Sequence, residues 1–250
     1  MRDQVLMFRR VIITTVLGLF VTVPCWGYPR QTISLKYDCP YETCTCSGAI
    51  CYFTVGAQDV GLPAGGHPGG YLHAVVDAAE PQLTSTPLHP FYHLWLGDYT
   101  YSKIINLGVD INVFSVGVAA ENRPVSLVLR NNGHTPDEPL DDCEIVQVGV
   151  KHVQRPGRGW KAFDFNVPYD SQVLPQSWVI LEGSCKDLTP DEAWLRVIHD
   201  VTAVSYVLGE PGGSYDIQTW DLGFDNTRLT IERDGILPFV GHGTFELDEP

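Results

Sequence analysis

From Ile104 onward, apolar and polar positions alternate with a period of two, the mark of half-buried strands. Leu107, Val109, Ile111 and Val113 hold one phase, and Phe114, Val116 and Val118 hold the other. A one-residue slip of this kind predicts a β-bulge or a sheet edge near Val113. Val125, Leu127 and Leu129 form the next strand, closed by the turn-forming Asn131-Asn132-Gly133. The acidic, proline-bearing stretch from Thr135 to Asp142 is a loop. Val146, Val148 and Val150 alternate again, Arg155-Pro156-Gly157-Arg158-Gly159 marks a turn, and Phe163, Phe165 and Val167 follow as a strand. Trp178 to Leu181 and Val201 to Leu208 complete the strand pattern. Short strands at this spacing predict an antiparallel sandwich.

One helix interrupts the pattern. Thr189-Pro190-Asp191-Glu192 is a start signal: Thr189 caps the free amides, Pro190 suits the first helical position and Glu192 completes a capping box. Trp194, Leu195 and Ile198 then share one face, so the helix is expected to plug an end of the sandwich with its tryptophan in the core.

The N-terminus changes the picture from a globular chain to an exported one. Arg2, Arg9 and Arg10 precede an apolar run from Val11 to Val23, and Cys25-Trp26-Gly27 offers small residues for cleavage, so residues 1–27 read as a signal peptide. No other stretch approaches the ~20 apolar residues a spanning helix requires. Removing the signal takes three basic residues and one acidic one, which leaves 13 Lys+Arg against 29 Asp+Glu and a formal charge of −16. That balance excludes nucleic acid and anionic membranes as partners, since both demand a basic face.

Cleavage also discards Cys25. The six remaining cysteines are an even number in an exported chain and predict three disulfides. Cys39, Cys44, Cys46 and Cys51 are expected to close on themselves and to pin residues 28–53 against the main domain. Cys143 and Cys185 stand apart and are expected to join each other. Residues 54–235 form the sandwich, and 236–250 a loose acidic tail.

Three landmarks run through the sandwich: Gly66-His67-Pro68-Gly69-Gly70-Tyr71, Leu96-Gly97-Asp98, and Gly223-Phe224-Asp225-Asn226. Between them lie the strand Leu107 to Ile111, the aromatic strand Trp160 to Pro168, Trp178 and the capped helix. In this order the set resembles the laminin IV type A domain, over roughly Thr54 to Arg233, and is similar to free-standing bacterial members of that family. His67 stands where the family has asparagine, the Glu210 to Trp220 insertion is longer, and no epidermal-growth-factor-like repeats flank the domain. The resemblance implies an all-β jelly-roll sandwich, close to many galactose- and carbohydrate-binding modules, and no enzymatic activity. It also implies that Gly66–Tyr71 and Gly223–Leu229 bracket one sandwich.

Site candidates follow from that expectation. Similar jelly rolls carry a structural calcium, which needs six to eight oxygens; Asp98 and Asp225, with Asp110 and Asp221 near the same landmarks, are the acids placed to supply it. The alternative is that Asp98 and Asp225 accept hydrogen bonds from amides at turns. Sugar binding uses aromatic rings on a pyranose face, and Tyr99, Tyr101, Trp160, Tyr215 and Trp220 lie in or near predicted loops. Catalysis lacks a signature: there is no Gly-x-Ser-x-Gly elbow, and His89-x3-His93 lacks the glutamate of a metalloprotease helix. The expectation is a secreted binding or structural module for glycan or extracellular matrix. A glycoside-processing enzyme on the same scaffold and a purely structural surface protein are the rivals.

Overall fold

The computed structural model describes residues 31–37, 46–47, 50–62, 64–67, 69–86, 96–117, 123–133 and 142–233. The signal peptide, Cys39, Cys44, His89, His93 and the tail lie outside these residues. Among the described residues there are thirteen strands and two helices: β1 (Gln31–Tyr37), β2 (Cys46–Ser47), β3 (Ile50–Thr54), β4 (Gln58–Leu62), β5 (Tyr71–Ala78), β6 (Gln82–Thr86), α1 (Tyr99–Ser102), β7 (Ile104–Val116), β8 (Pro124–Asn131), β9 (Cys143–His152), β10 (Lys161–Asn166), β11 (Val179–Ile180), α2 (Pro190–Ile198), β12 (Ala203–Leu208) and β13 (Gln218–Arg233). They form a jelly-roll β-sandwich. Sheet I runs β10-β7-β13-β5-β4, with β1 also paired to β13; sheet II runs β11-β9-β8-β12-β6-β3-β2, and every pairing is antiparallel. Strands that precede residue 54 also pair with the two sheets: β1 extends sheet I and β3 extends sheet II through β6. No helix among the described residues is long and apolar enough to cross a membrane.

Alternation decides which side chains meet. Leu107, Val109, Ile111 and Val113 of β7 and Trp220, Leu222, Phe224 and Leu229 of β13 point inward, against Val125, Leu127 and Leu129 of β8 and Val204, Tyr206 and Leu208 of β12. The Tyr206 hydroxyl crosses this core and donates to the Gly108 carbonyl at 3.0 Å, so its buried oxygen is satisfied. Burial raises its pKa well above the ordinary phenol value.

Two irregularities break the β7–β13 ladder. Leu222 pairs with Val113 but Asp221 pairs with Ser115, so Phe114 is the extra residue of a bulge. This is the slip expected from the sequence, and its effect is to turn the Phe114 ring to the outer face. Further along, Asp225 pairs with Asp110 and Arg228 with Gly108, which leaves one extra residue on β13. Asn226 accommodates that bulge at φ +45°, a left-handed conformation asparagine tolerates better than most residues.

The helix α2 starts as its sequence demands. Thr189 accepts from the Glu192 amide while Glu192 accepts from the Thr189 amide at 2.8 Å. Trp194 is fully buried, packs edge-on against Trp178 with centroids 5.4 Å apart, and donates to the Ser171 carbonyl at 2.9 Å. Thr189→Ala is expected to lower stability by about 1 kcal/mol, the typical worth of an N-cap, in a urea titration. A change below measurement error would show that tertiary packing alone holds the helix. Cys143 and Cys185 are disulfide-bonded as expected. The backbones of Cys46 and Cys51 stand directly opposite in the β2–β3 ladder.

Candidate functional site

The outer face of sheet I gathers aromatic rings from three separate parts of the chain. On β5, Leu72, Ala74 and Val76 face the core, so Tyr71, His73 and Val75 face outward. Register places Gly223 beside both His73 and Asn112, and Asp221 beside Val75. The bulge adds Phe114, and the turn before β10 delivers Trp160. Tyr71 lies 5.3 Å from Trp160 and 5.6 Å from Phe114, while His73 lies 5.9 Å from Phe114. Planes meet at angles from 45° between Tyr71 and Phe114 to 88° between Phe114 and Trp160.

Gly223 is the floor of this cluster. A Cβ there would fall 2.7 Å from Trp160 Cη2, 3.0 Å from Tyr71 Cδ2 and 3.1 Å from Phe114 Cε2. The missing side chain is what lets three rings converge on one point of the sheet. Beside them His73 Nε2 and Asp221 Oδ1 are 2.7 Å apart, with both side chains about one-third exposed. Burial, and secondarily the Asp221 charge, raise the Tyr71 phenol above its ordinary value, so it stays protonated.

A second, polar cluster lies next to the rings. The Asp110 carboxylate, 4% exposed, receives Arg228 Nη1 on one oxygen, and His67 Nδ1 (2.9 Å) and Asn226 Nδ2 (3.1 Å) on the other. Arg228 also donates to Asp164 Oδ1 at 2.7 Å and to the Phe163 carbonyl at 3.2 Å. Burial works against the charged guanidinium, but the hydrogen bonds and charges of Asp164 and Asp110 outweigh it and raise its pKa. Asp225 accepts from the His67 amide at 2.5 Å and from the Asn226 amide at 2.7 Å.

The structure divides the residues expected to bind a ligand. Trp160 belongs to the ring cluster, half-buried and with its Nε1 donating to the Gly65 carbonyl at 2.9 Å. Tyr99 and Trp220 do not: both are 0% exposed and part of the core, which corrects the expectation that they face a ligand. Trp220 precedes Leu222 and Phe224 in the inward phase of β13, and Tyr99 is the buried residue of α1. Tyr101 is 86% exposed on α1, apart from the ring cluster. Tyr215 packs under the Arg123 guanidinium, 4.4 Å from its centroid, and its hydroxyl accepts from the Glu210 amide. Arg123 also lies 5.1 Å from the Trp220 ring, so these two aromatics hold an arginine and the 210–217 loop.

Asp98 and Asp225 are not brought to one site. Asp98 caps α1, its Oδ1 accepting from the Thr100 amide (2.8 Å), the Thr100 hydroxyl (2.6 Å) and the Tyr101 amide (3.1 Å). Burial raises the Asp98 carboxyl, but the Thr100 hydroxyl, the two amides and His199 outweigh that and hold it below its ordinary range. These are the hydrogen bonds of a carboxylate at a turn. Among the described residues no group of three or more His, Cys, Asp or Glu is arranged to hold a metal.

Tyr71, His73 and Phe114 are not among the ligand-binding residues expected from the sequence, and Asp221 enters there only as a calcium candidate. The signal was present in part: Tyr71-x-His73-x-Val75 is the outward phase of β5.

No family model matches the chain, and no curated protein matches it. The laminin IV type A resemblance thus rests on the residues that carry it. Among solved structures, a family 30 carbohydrate-binding module is similar at 12% identity, over 84% of this chain and 92% of that one, with a TM-score of 0.42. The family 30 module of a cellulosomal cellulase of Clostridium thermocellum gives 11%, 82%, 95% and 0.39. A carbohydrate esterase from Shiga toxin-encoding bacteriophage phi24B gives 11%, 73%, 90% and 0.34. Likenesses of this strength carry no functional weight, and the site must be read from its own atoms.

Proposed function

We propose that the protein is an exported, non-enzymatic module that binds glycan on the outer face of sheet I. The observation that carries this reading is the convergence of Tyr71, Trp160, Phe114 and His73 around Gly223, with Asp221 at their side. Tyr71 is buried at 8% exposure beneath the half-buried rings of Trp160, Phe114 and His73, which present apolar faces of the kind that cover a pyranose, and a carboxylate beside them takes hydroxyls. The rings share no plane, so they suit a single soluble chain that twists past them better than a flat crystalline surface.

One further observation supports a binder over a hydrolase. Glycoside hydrolysis needs two carboxyls on either side of the scissile bond. Here Asp110 is engaged by Arg228, Asp225 by the His67 amide, and Asp77 by the Thr219 hydroxyl at 2.6 Å. The buried Cys143–Cys185 bond and the N-terminal export signature support an oxidising, extracellular setting.

The test is calorimetric titration of the mature protein with cellohexaose, xylohexaose and chitohexaose, and a pull-down on crystalline cellulose. At least one soluble chain should bind, and Trp160→Ala should weaken it by about 30-fold, or ~2 kcal/mol, as expected of an aromatic hot spot. Failure of all the chains to bind, or binding unaffected by Trp160→Ala, would sink this reading.

A further inference from the structure

Trp160 is held in the ring cluster from the side of a neighbouring turn. It precedes β10, it is half-buried, and its indole has one hydrogen bond to the backbone, from Nε1 to the Gly65 carbonyl. That carbonyl sits on the 64–70 turn, so the position of the ring depends on the position of the turn. The turn closes on itself through the Gly66 amide and the Gly69 carbonyl at 2.8 Å. It is tied to the sheet by β13: Asp225 Oδ2 accepts from the His67 amide at 2.5 Å, and Asn226 Nδ2 donates to the His67 carbonyl. A third tether runs from His67 Nδ1 to Asp110 Oδ2. Contact is close enough that a Cβ on Gly66 would lie 2.6 Å from Asp225 Oδ2 and 2.3 Å from the Gly70 carbonyl oxygen.

We propose that Asp225 and Asn226 are positioning residues for the ligand face: they hold the 64–70 turn, and through the Gly65 carbonyl they fix the Trp160 indole. The inference rests on the glycan-binding reading above, and it gives the β13 bulge a purpose. With the left-handed backbone of Asn226, at φ +45°, the consecutive side chains of Asp225 and Asn226 both reach the backbone groups of His67. A regular strand would point them to opposite faces. The bulge thus converts two neighbours in sequence into a pincer on one residue of the turn, 158 and 159 positions away. A ring fixed before the ligand arrives loses less entropy on binding.

Asn226→Gly is the decisive variant. Glycine adopts the positive φ without strain, so the bulge survives while the amide that holds His67 is lost. Affinity for the best soluble oligosaccharide of the panel should fall by about five- to ten-fold, the cost of ordering one side chain at binding. Solvent exchange of the Trp160 indole N–H, followed by NMR, should quicken by roughly ten-fold while that of Trp194 in α2 is unchanged, since local opening need not spread. In a Trp160→Phe background, which lacks the indole donor, Asn226→Gly should have little further effect, because neighbours acting through one contact are not additive.

Equal acceleration at Trp160 and Trp194 would mean a merely structural role and overturns the proposal. So does an unchanged exchange rate at Trp160, or a full additional loss of affinity in the Trp160→Phe background. If no oligosaccharide binds the wild type while exchange responds as expected, the glycan reading fails and the tether between β13 and Trp160 stands.

Discussion

Arg228→Ala is expected to destabilise the protein by about 3–5 kcal/mol, the cost of removing one partner from a buried ion pair. The reason lies in what it leaves behind. Asp110 is 4% exposed and Arg228 12%, so water cannot replace the guanidinium once it is gone. His67 and Asn226 still donate to the other carboxylate oxygen, which offsets hydrogen bonding but not charge. Arg228→Lys should recover only part of the loss: a single ammonium cannot reach Asp110, Asp164 and the Phe163 and Asn226 carbonyls together, as the planar guanidinium does. The paired substitution Asp110→Asn with Arg228→Met separates charge from packing. It removes both charges, keeps an acceptor for His67 and keeps bulk beside Gly108, so it should cost less than Arg228→Ala alone. Urea midpoints for the three variants provide the measurement. A loss under ~1 kcal/mol for Arg228→Ala would place the pair among surface bridges and refute the argument.

The same cluster shows where sequence and structure part company. Local chemistry was legible: the capping box predicted α2, the phase slip at Val113 predicted the bulge, and the isolated cysteines predicted their bond. So was the grouping of the glycine and Gly-x-Asp-Asn landmarks, which the structure joins directly through His67 and Asp225. The ligand face was not, because it depends on register. Tyr71, Phe114 and Trp160 meet over Gly223 only after β5, β13 and β7 have paired, and no single segment carries that information. Proximity to predicted loops misplaced Tyr99 and Trp220. For Trp220 the better guide was the two-residue period it shares with Leu222 and Phe224, which assigns it to the core.

Breaking the Cys143–Cys185 bond should have a comparable effect on stability with a different origin. The two residues are 42 positions apart, and a cross-link over a loop of that size removes unfolded-state entropy worth about 4 kcal/mol. It joins the first residue of β9 to the segment that leads into the Thr189 cap, so it ties α2 to sheet II. Cys143 and Cys185 are both buried, at 0% and 5% exposure, and alanine at both positions avoids burying new polar groups. The double variant should lose about 3–4 kcal/mol, and either single variant nearly as much, since one substitution already breaks the bond. The denaturant slope tells the two sources of instability apart. Freed of its cross-link, the unfolded chain expands and exposes more surface, so the slope should rise; Arg228→Ala acts on the folded state and should leave it unchanged. A double-alanine variant with the wild-type slope and a loss under ~1 kcal/mol would mean that packing of Trp194 against Trp178 holds this end of the sandwich without the bond.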